Sequence, residues 1–226
     1  MSSTNRGKDR HVADYYLTPQ WASRSFLDSL AADIDANVDW VAKHCRTHAA
    51  LTGDALLKSL TARVLDPCAG GDATNEMAYP LAISNHPRFA HAQLTTLDWR
   101  MDSRAQYRGV DFLAWVPLSL DIESSSGYHT TYDCVITNPP FIIAQEIITK
   151  ALTVVRPGGL VVMLVRLNYF GSEKRFAWWQ DNMPAATYIH SKRIGFTPDG
   201  KTDSIEYQHL VFVVGEKPTH TALRVI

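Results

Sequence analysis

The residues with the clearest chemical potential lie where an apolar segment, residues 133–137, runs into Asn138-Pro139-Pro140-Phe141. The side-chain oxygen of an asparagine and the carbonyl oxygen of the following proline can each accept one hydrogen of a planar NH2 group. Proline holds that carbonyl in a rigid frame and has no backbone N–H to compete for it, while Phe141 can stack on the ring that carries the amine. The alternative interpretation is a strand that ends in a proline-rich turn, because proline cannot continue a ladder of backbone hydrogen bonds.

A second polar segment, Asp66-Pro67-Cys68-Ala69-Gly70-Gly71, also follows a short apolar segment. Adjacent glycines let a ligand approach the backbone closely. No Gly-Lys-Ser/Thr follows, and the Gly-x-Gly-x-x-Gly pattern is missing, which argues against a phosphate loop and a dinucleotide. What remains is a nucleoside-like ligand with a positive group beside Asp66, and S-adenosylmethionine, with its amino group and sulfonium, fits that description. Cys68 lies inside this turn, and we interpret it as a small packing residue and not as a nucleophile.

Two further acidic positions follow apolar segments in the same way. Asp98 can accept both hydroxyls of a ribose, as an acidic residue does in dinucleotide folds. Asp111-Phe112 can hold an adenine amino group and stack on its ring. Taken singly, each acid is equally well interpreted as a helix cap or a loop residue. Taken in order at successive strand ends, they favour a ligand site, because ligands of parallel sheets bind beyond the carboxyl ends of the strands.

The elements that must position these residues alternate between short apolar strands and helices from Thr61 onward. This order predicts an α/β fold with a doubly wound, mainly parallel sheet. Thr18 is expected to cap a first helix, with Pro19 as its first residue and an end near Leu30. The predicted strands are 62–65, 93–97, 132–137, 160–165, 187–190 and a final one at 210–214, with a shorter segment near 109–112; the other predicted helices are 38–60, broken around 52–54, one starting near Asp72, 142–155 and 176–182.

The composition fits one soluble globular domain, with 46% hydrophobic and 20% charged residues among 226. We expect a helical N-terminal extension over 1–60 and a core over 61–226. No apolar run is long enough to span a membrane, and no signal peptide is recognisable. Three cysteines without metal-ligand spacing indicate a reduced, cytoplasmic setting and no metal site. The oligomeric state stays open, with a monomer favoured.

The formal net charge of -1 gives no global attraction to nucleic acid. Phosphate contacts would therefore need a local basic rim. The candidate rim residues are Arg166, Lys174, Arg175, Lys192, Arg193 and Lys201. For any one of them, the alternative is an ordinary solvated surface charge.

Together, these features resemble the class I S-adenosylmethionine-dependent amino-methyltransferases, and specifically the N6-adenine DNA methyltransferases of phages and bacteria. The turn at 66–71 looks like their first cofactor motif, and Asn138-Pro139-Pro140-Phe141 matches their catalytic Asn/Asp-Pro-Pro-aromatic tetrapeptide. Tyr16-Leu17-Thr18-Pro19 is similar to an N-terminal Thr-Pro element near the methionine moiety, and 193–203 with Glu206-Tyr207 looks like the C-terminal loop and strand of that family. The resemblance spans roughly Tyr15 to Val214.

The resemblance implies a seven-stranded Rossmann-like sheet and transfer of a methyl group from S-adenosylmethionine to the N6 amine of adenine in DNA. The implied catalytic residues are Asn138, Pro139, Pro140 and Phe141. The implied cofactor-binding residues are Tyr16, Thr18, Pro19, Asp66, Pro67, Cys68, Ala69, Gly70, Asp98, Asp111, Phe112 and Asn138. No metal is implied.

Several alternatives stay open. Larger family members carry a separate target-recognition domain, whereas here recognition would fall to 38–60, 167–175 and 195–203. The same chemistry can act on an adenine or guanine amine of RNA or on a protein glutamine, although the protein-glutamine enzymes usually have Tyr at the position of Phe141. A degenerate, non-enzymatic binding subunit is disfavoured by the intact Asn138, Asp66 and Asp98, and a dehydrogenase by the missing glycine pattern.

Overall fold

The computed structural model describes residues 16–48, 50–117, 132–196 and 204–226. Its strands are β1 (Arg63–Asp66), β2 (Gln93–Asp98), β3 (Tyr107–Arg108), β4 (Tyr132–Thr137), β5 (Val155–Arg166), β6 (Ala186–Ile189), β7 (Tyr207–Val213) and β8 (Ala222–Val225). Its helices are α1 (Gln20–Asp35), α2 (Asp39–His44), α3 (Gly53–Leu60), α4 (Ala78–Ser84), α5 (Ala144–Val154) and α6 (Phe176–Asp181), with short 3-10 helices at Arg46–His48, Leu167–Phe170 and Glu173–Arg175.

The described strands form one sheet in the order β3-β2-β1-β4-β5-β7-β6-β8. Strand β7 is antiparallel to both of its neighbours, and the remaining pairs are parallel. The expected mainly parallel α/β sheet is therefore confirmed. The expected number of seven strands is wrong, because β8 adds an eighth at the edge beside β6. Its four residues are mostly exposed, so β8 lacks the continuous apolar run that marks a buried parallel strand.

Helices cover both faces of the sheet, as a doubly wound fold requires. On one face, α1, α3 and α4 bury an apolar layer that includes Phe26, Leu57 and Tyr79 against alternate side chains of the central strands. On the other face, α5 packs Ile147 and Ile148 into a second layer. Residues 160–165 of β5 are 0% exposed, since both faces of that strand are covered. The N-terminal helical segment thus supplies one layer of the core.

The short strand expected near 109–112 is wrong, because β3 lies at Tyr107–Arg108. Three further local predictions are wrong for identifiable reasons. The helix expected from Asp72 begins at Ala78, because the Asp72 carboxylate accepts the backbone N–H groups of Thr74 and Asn75 and holds a turn there. The break expected around 52–54 is instead the start of α3, and the interruption lies just before it. Helix α1 begins at Gln20 with Pro19 at the cap position, so Thr18 does not cap it.

The order of the strands creates the ligand crevice. The chain passes from β1 to β2 and β3 on one side of β1, and then returns to place β4 on the other side of β1. Such a reversal of strand order is the switch point where parallel sheets bind ligands, beyond the carboxyl ends of the strands. We call this side of the sheet the carboxyl edge. Asp66, Asp98 and Arg166 end their strands there, and Asn138 follows β4 directly. Among the described residues, no helix is long and apolar enough to cross a membrane.

Candidate active site

A cavity of about 430 Å³ opens at the carboxyl edge, between the ends of β1, β2 and β4. This volume is in the range of small-molecule and cofactor sites. The sequence-predicted residues that line it are Tyr16, Thr18, Asp66, Pro67, Cys68, Ala69, Gly70, Asp98, Asp111, Phe112, Asn138, Pro139 and Pro140. Pro19 and Phe141 are not part of the lining. The structure therefore brings both predicted motifs to one cavity, and Lys201 and residues 197–203 lie outside the described residues.

The amide of Asn138 is held in one orientation by the N-terminal segment. Its Nδ2 donates to the Thr18 hydroxyl at 2.9 Å and toward the carbonyl oxygen of Tyr16 at 3.5 Å. Since a carbonyl can only accept, the nitrogen of the amide must face Tyr16. The opposite atom, Asn138 Oδ1, is buried and has no hydrogen-bond partner among the described residues. An unsatisfied buried acceptor beside a cavity fits a ligand that brings an N–H.

The carboxyl group of Asp66 lies buried at the end of β1. One oxygen accepts hydrogen bonds from the Thr137 hydroxyl at 2.6 Å and from the Cys68 backbone N–H at 3.2 Å. Burial raises the pKa of Asp66 to about 7, and the nearby Asp98 adds to this rise while the Thr137 bond opposes it. A buried acid that ionises near neutrality is stabilised by an approaching cation. Asp66 therefore fits a ligand with a positive group.

Asp98 holds the loops on both sides of the cavity in place through its carboxylate. Its two carboxylate oxygens accept the backbone N–H groups of Gly70 and Arg100, each at 2.7 Å. Gly70 and Gly71 both have a positive φ, which favours glycine, so the turn brings backbone against the cavity without side chains. Burial raises the pKa of Asp98. Each oxygen keeps a second acceptor position for the predicted ribose contact.

Phe141 contacts protein neighbours on its ring. Tyr16 stacks on it with ring centroids 5.5 Å apart and an interplanar angle of 19°, and the guanidinium of Arg166 lies 4.9 Å from the ring centroid. A target base that stacks where Tyr16 or Arg166 now lies on Phe141 must displace that side chain. The predicted stacking of Phe141 on a base stays a prediction with that added requirement.

Cys68 is partly buried in the cavity wall, whereas Asp111 is exposed. Burial, with Asp66 and Asp98 nearby, raises the pKa of the Cys68 thiol well above its usual range, so the thiol stays protonated and is a poor nucleophile. Asp111 is exposed and accepts the backbone N–H of Leu113 at 2.9 Å, which orders the loop, while Phe112 is buried beside it.

The cavity also has lining residues that the sequence analysis misses. Trp99, Leu113 and Ile142 are apolar, line the cavity and are 68%, 38% and 74% exposed, so they form an apolar mouth. The sequence could have indicated a role for Trp99 in the site, because Trp99 directly follows Asp98 at a strand end. Tyr79 is a buried member of the lining whose participation no local motif announces. Among the described residues, no group of three or more His, Cys, Asp or Glu side chains forms a metal site.

No protein-family model and no curated protein matches the sequence. Solved structures do match. A protein from Listeria monocytogenes assigned as a class I S-adenosylmethionine-dependent methyltransferase is 12% identical, with a TM-score of 0.57 over 97% of this chain and 68% of that chain. A protein from Vibrio vulnificus assigned as a modification subunit of a type I restriction enzyme is 14% identical, with a TM-score of 0.53 over 96% of this chain and 47% of that chain.

At this identity the likeness concerns the fold, and the fold is that of the class I S-adenosylmethionine-dependent methyltransferases. S-adenosylmethionine is the cofactor of this fold class, and the expectation of that cofactor agrees with the architecture. The donor set also fits it, because the cavity combines a buried acid at Asp66 for a cation with the carboxylate of Asp98 at the next strand end. A fold does not by itself specify an activity or a substrate.

Proposed function

We propose that this protein transfers a methyl group from S-adenosylmethionine to the exocyclic N6 amine of adenine in DNA. The observation that carries the proposal is the amide of Asn138, whose nitrogen is tied to Thr18 and Tyr16 while its buried oxygen has no partner among the described residues. A fixed, unsatisfied acceptor next to the carbonyl of Pro139 matches the two hydrogens of an NH2 group.

The cofactor supplies an electrophilic methyl group on a sulfonium sulfur. The lone pair of an adenine amine is delocalised into the ring, which makes this nitrogen a poor nucleophile. Asn138 Oδ1 and the carbonyl oxygen of Pro139 each accept one N–H, which draws the nitrogen toward tetrahedral geometry and directs its lone pair away from the ring. With S-adenosylmethionine held between Asp66 and Asp98, the amine nitrogen would bond to the methyl carbon as the carbon–sulfur bond breaks, and one proton would leave the nitrogen for water. Positioning and fixed dipoles provide the acceleration, so no covalent enzyme intermediate is needed.

A nucleic-acid substrate is supported by the distribution of charge along the carboxyl edge. The part beyond β1 and β2 carries the acids of the cavity together with Arg100, whereas the part beyond β5 and β6 carries Arg166, Arg175 and Lys192. Each of these three cations lies over an aromatic ring, of Phe141, Tyr169 and Trp21 respectively, at 4.2–4.9 Å from the centroid. None of them forms an ion pair with a carboxylate of the described residues.

Four other arginines are paired instead. Arg63, Arg88, Arg156 and Arg224 all bind aspartates. Cations that are ordered but not neutralised are suited to phosphates, and arginines in particular bind phosphate oxygens. We name Arg166, Arg175 and Lys192 the basic track. A glutamine side chain is neutral and offers no charge for the basic track to bind, so the track favours nucleic acid over protein as the substrate. RNA remains the alternative with the same phosphate chemistry.

The function is tested with Asn138→Ala. We expect a fall in the methylation rate of unmethylated DNA of at least about 100-fold, the size typical of losing one fixed polar group in an active site, with S-adenosylmethionine affinity largely kept. Asn138→Asp is the matched variant, because it keeps an acceptor oxygen and can still accept from Thr18, and we expect it to retain more activity than the alanine variant. Comparable rates for wild type and Asn138→Ala would contradict the catalytic assignment.

The substrate class is tested in the same assay with labelled cofactor. Wild-type protein is incubated separately with unmethylated DNA, with RNA and with cell protein, and the labelled products are digested and identified. We expect N6-methyladenine from DNA. Label only in RNA or only on glutamine would keep the amine chemistry and replace the proposed substrate.

A further inference from the structure

A chain of three buried polar side chains runs from the cavity into the protein interior. Tyr79 is a residue of the cavity lining, and its hydroxyl lies 2.8 Å from His209 Nε2, while His209 Nδ1 lies 3.0 Å from His190 Nε2. All three residues are at most 2% exposed. The last atom, His190 Nδ1, is buried without a hydrogen-bond partner among the described residues. Three polar groups in an apolar layer with one left unsatisfied need an explanation.

Both imidazoles are neutral. Burial lowers the pKa of His190 to about 4, and burial together with His190 lowers the pKa of His209 well below its usual value. Each ring therefore carries one N–H, and the donors of this hydrogen-bond chain can point in either of two directions. Either Tyr79 donates to His209 and the chain ends in an unsatisfied N–H on His190, or His209 donates to the Tyr79 oxygen and the chain ends in an unsatisfied lone pair on His190.

A ligand acceptor in the cavity selects the second direction, because it takes up the Tyr79 O–H and the hydrogen-bond chain then has no donor left unsatisfied. Aromatic packing fixes the rings in place: Phe26 stacks on His209 with centroids 4.2 Å apart, and Trp21 meets His190 edge to face at 5.6 Å. In this direction His209 Nε2–H binds the Tyr79 oxygen. The hydroxyl hydrogen of Tyr79 is then free to donate to a ligand in the cavity.

The place of Tyr79 beside Asp66 indicates what that ligand group is. Both residues line the same cavity, and burial raises the pKa of Tyr79, with the Asp66 carboxylate adding to the rise. If Asp66 receives the positive amino group of an amino acid, the carboxylate of the same amino acid is one carbon away and needs a donor next to Asp66. A hydrogen bond from a neutral tyrosine satisfies it without bringing a second negative charge.

We propose that Tyr79 is a cofactor-binding residue whose hydroxyl donates to the carboxylate of the methionyl part of S-adenosylmethionine, and that His209 and His190 are positioning residues that hold this hydroxyl toward the cavity. This inference rests on the proposed function for the identity of the cofactor. It assigns one binding and two positioning roles to residues on α4, on β7 and directly after β6, which no local sequence motif connects.

The test compares two ligands that differ in the amino-acid part. S-adenosylhomocysteine carries the amino acid, and 5′-deoxy-5′-methylthioadenosine lacks it while keeping the adenosine and the sulfur. For Tyr79→Phe, calorimetry should show the affinity for S-adenosylhomocysteine lowered by about tenfold or more, as expected for a lost hydrogen bond to a charged group. The affinity for methylthioadenosine should stay within about twofold of wild type, because one buried oxygen is removed and the ring remains.

The positioning role is tested by a double-mutant cycle with His209→Leu. Alone, this variant should weaken S-adenosylhomocysteine and leave methylthioadenosine unchanged; in the Tyr79→Phe background it should have no further effect on S-adenosylhomocysteine, because its contribution acts through the hydroxyl. A purely structural histidine would give additive losses for both ligands, which would overturn the positioning role.

The remaining outcomes are also decisive. Unchanged S-adenosylhomocysteine affinity in Tyr79→Phe would overturn the proposal, and so would an equal loss for both ligands. If wild-type protein bound neither ligand, the proposed cofactor itself would be wrong. Binding of both ligands by wild type with no effect of Tyr79→Phe leaves the proposed function standing and removes only the role of Tyr79.

Discussion

At the scale of single residues, the buried carboxyl of Asp66 links ligand chemistry to stability. Its folded-state pKa of about 7 lies above the value of about 3.9 expected in an unfolded chain. Between these values the folded protein holds a proton that the unfolded chain has lost. The free energy of unfolding therefore falls as the pH rises from about 4 to about 7, and is flat in this respect above that range. The cost at high pH is on the order of 4 kcal/mol.

Asp66→Asn removes this dependence. The amide oxygen can still accept from Thr137 and Cys68, so we expect the variant to unfold at a higher temperature than wild type at pH 8 and at a similar temperature at pH 4. Ligand-free thermal unfolding followed across this range measures the difference. Parallel curves for the two proteins at every pH would show that Asp66 does not carry the linkage.

Residue types at strand ends could be predicted from the sequence, but their partners could not. Asn138 and Thr18 were both expected near the ligand, yet their mutual hydrogen bond joins residues 120 positions apart. The apparent Thr-Pro cap of α1 is a local signal, and the long-range contact with Asn138 takes the Thr18 hydroxyl instead. In the same way, no local pattern shows that Arg166 and Tyr16 cover the ring of Phe141.

At the scale of elements, Gly158 and Gly215 allow the cost of backbone strain to be distinguished from the cost of a steric conflict. Gly158, between α5 and the long apolar part of β5, has φ +77°, and a Cβ there would overlap the Thr47 hydroxyl oxygen. Gly215, after β7, has φ +87° with nothing within 4 Å of such a Cβ. Both positions disfavour a side chain through φ, while the steric conflict exists only at Gly158.

The expected costs follow from that difference. Gly215→Ala should lower the free energy of unfolding by about 1–2 kcal/mol through backbone strain. Gly158→Ala should lower it by about 1–3 kcal/mol more, because the 3-10 helix that carries Thr47 must shift. Urea unfolding of both variants and of wild type measures the cost of the backbone strain and the added cost of the conflict with Thr47. Equal losses would mean that the contact with Thr47 has no effect.

Elements with strong apolar periodicity could be predicted, and those fixed by local side-chain bonds or edge pairing could not. Strand β4 has the predicted bounds, and the predicted 160–165 lies inside β5, because buried parallel strands are continuous apolar runs. The start of α4 was misplaced because the Asp72 side chain supports a turn that competes with the helix. Strand β8 was missed because its pairing with β6, and not its own composition, makes it a strand.

At the scale of the whole molecule, a net charge of -1 hides a division of charge along one edge of the sheet. The total predicted no attraction to polyanions, and it could not reveal that acids gather beyond β1 and β2 while Arg166, Arg175 and Lys192 lie beyond β5 and β6. That division arises from topology, because strands distant in sequence end side by side. A cationic ligand group and an anionic backbone could thus approach the same cavity from opposite sides.

The basic track makes a quantitative prediction for binding of nucleic acid. Each cation that contacts a phosphate contributes about 0.9 to the slope of log affinity against log salt concentration for duplex DNA, and about 0.7 for a single strand. Replacing Arg166, Arg175 and Lys192 together by glutamine should lower the magnitude of this slope by about 2–3 and weaken binding at low salt, because three phosphate contacts are lost. Fluorescence anisotropy with an end-labelled oligonucleotide at a series of salt concentrations gives both values.

The matched control is Lys43→Gln, which removes an exposed cation that binds Asp39 on α2. We expect this variant to keep the wild-type slope, and all variants to keep the wild-type affinity for S-adenosylmethionine, because the track lies outside the cavity lining. An unchanged slope in the triple variant would show that phosphates do not contact the track. A substrate that is not a nucleic acid would then become the better hypothesis, while the binding of the amine by Asn138 would stand or fall on its own test.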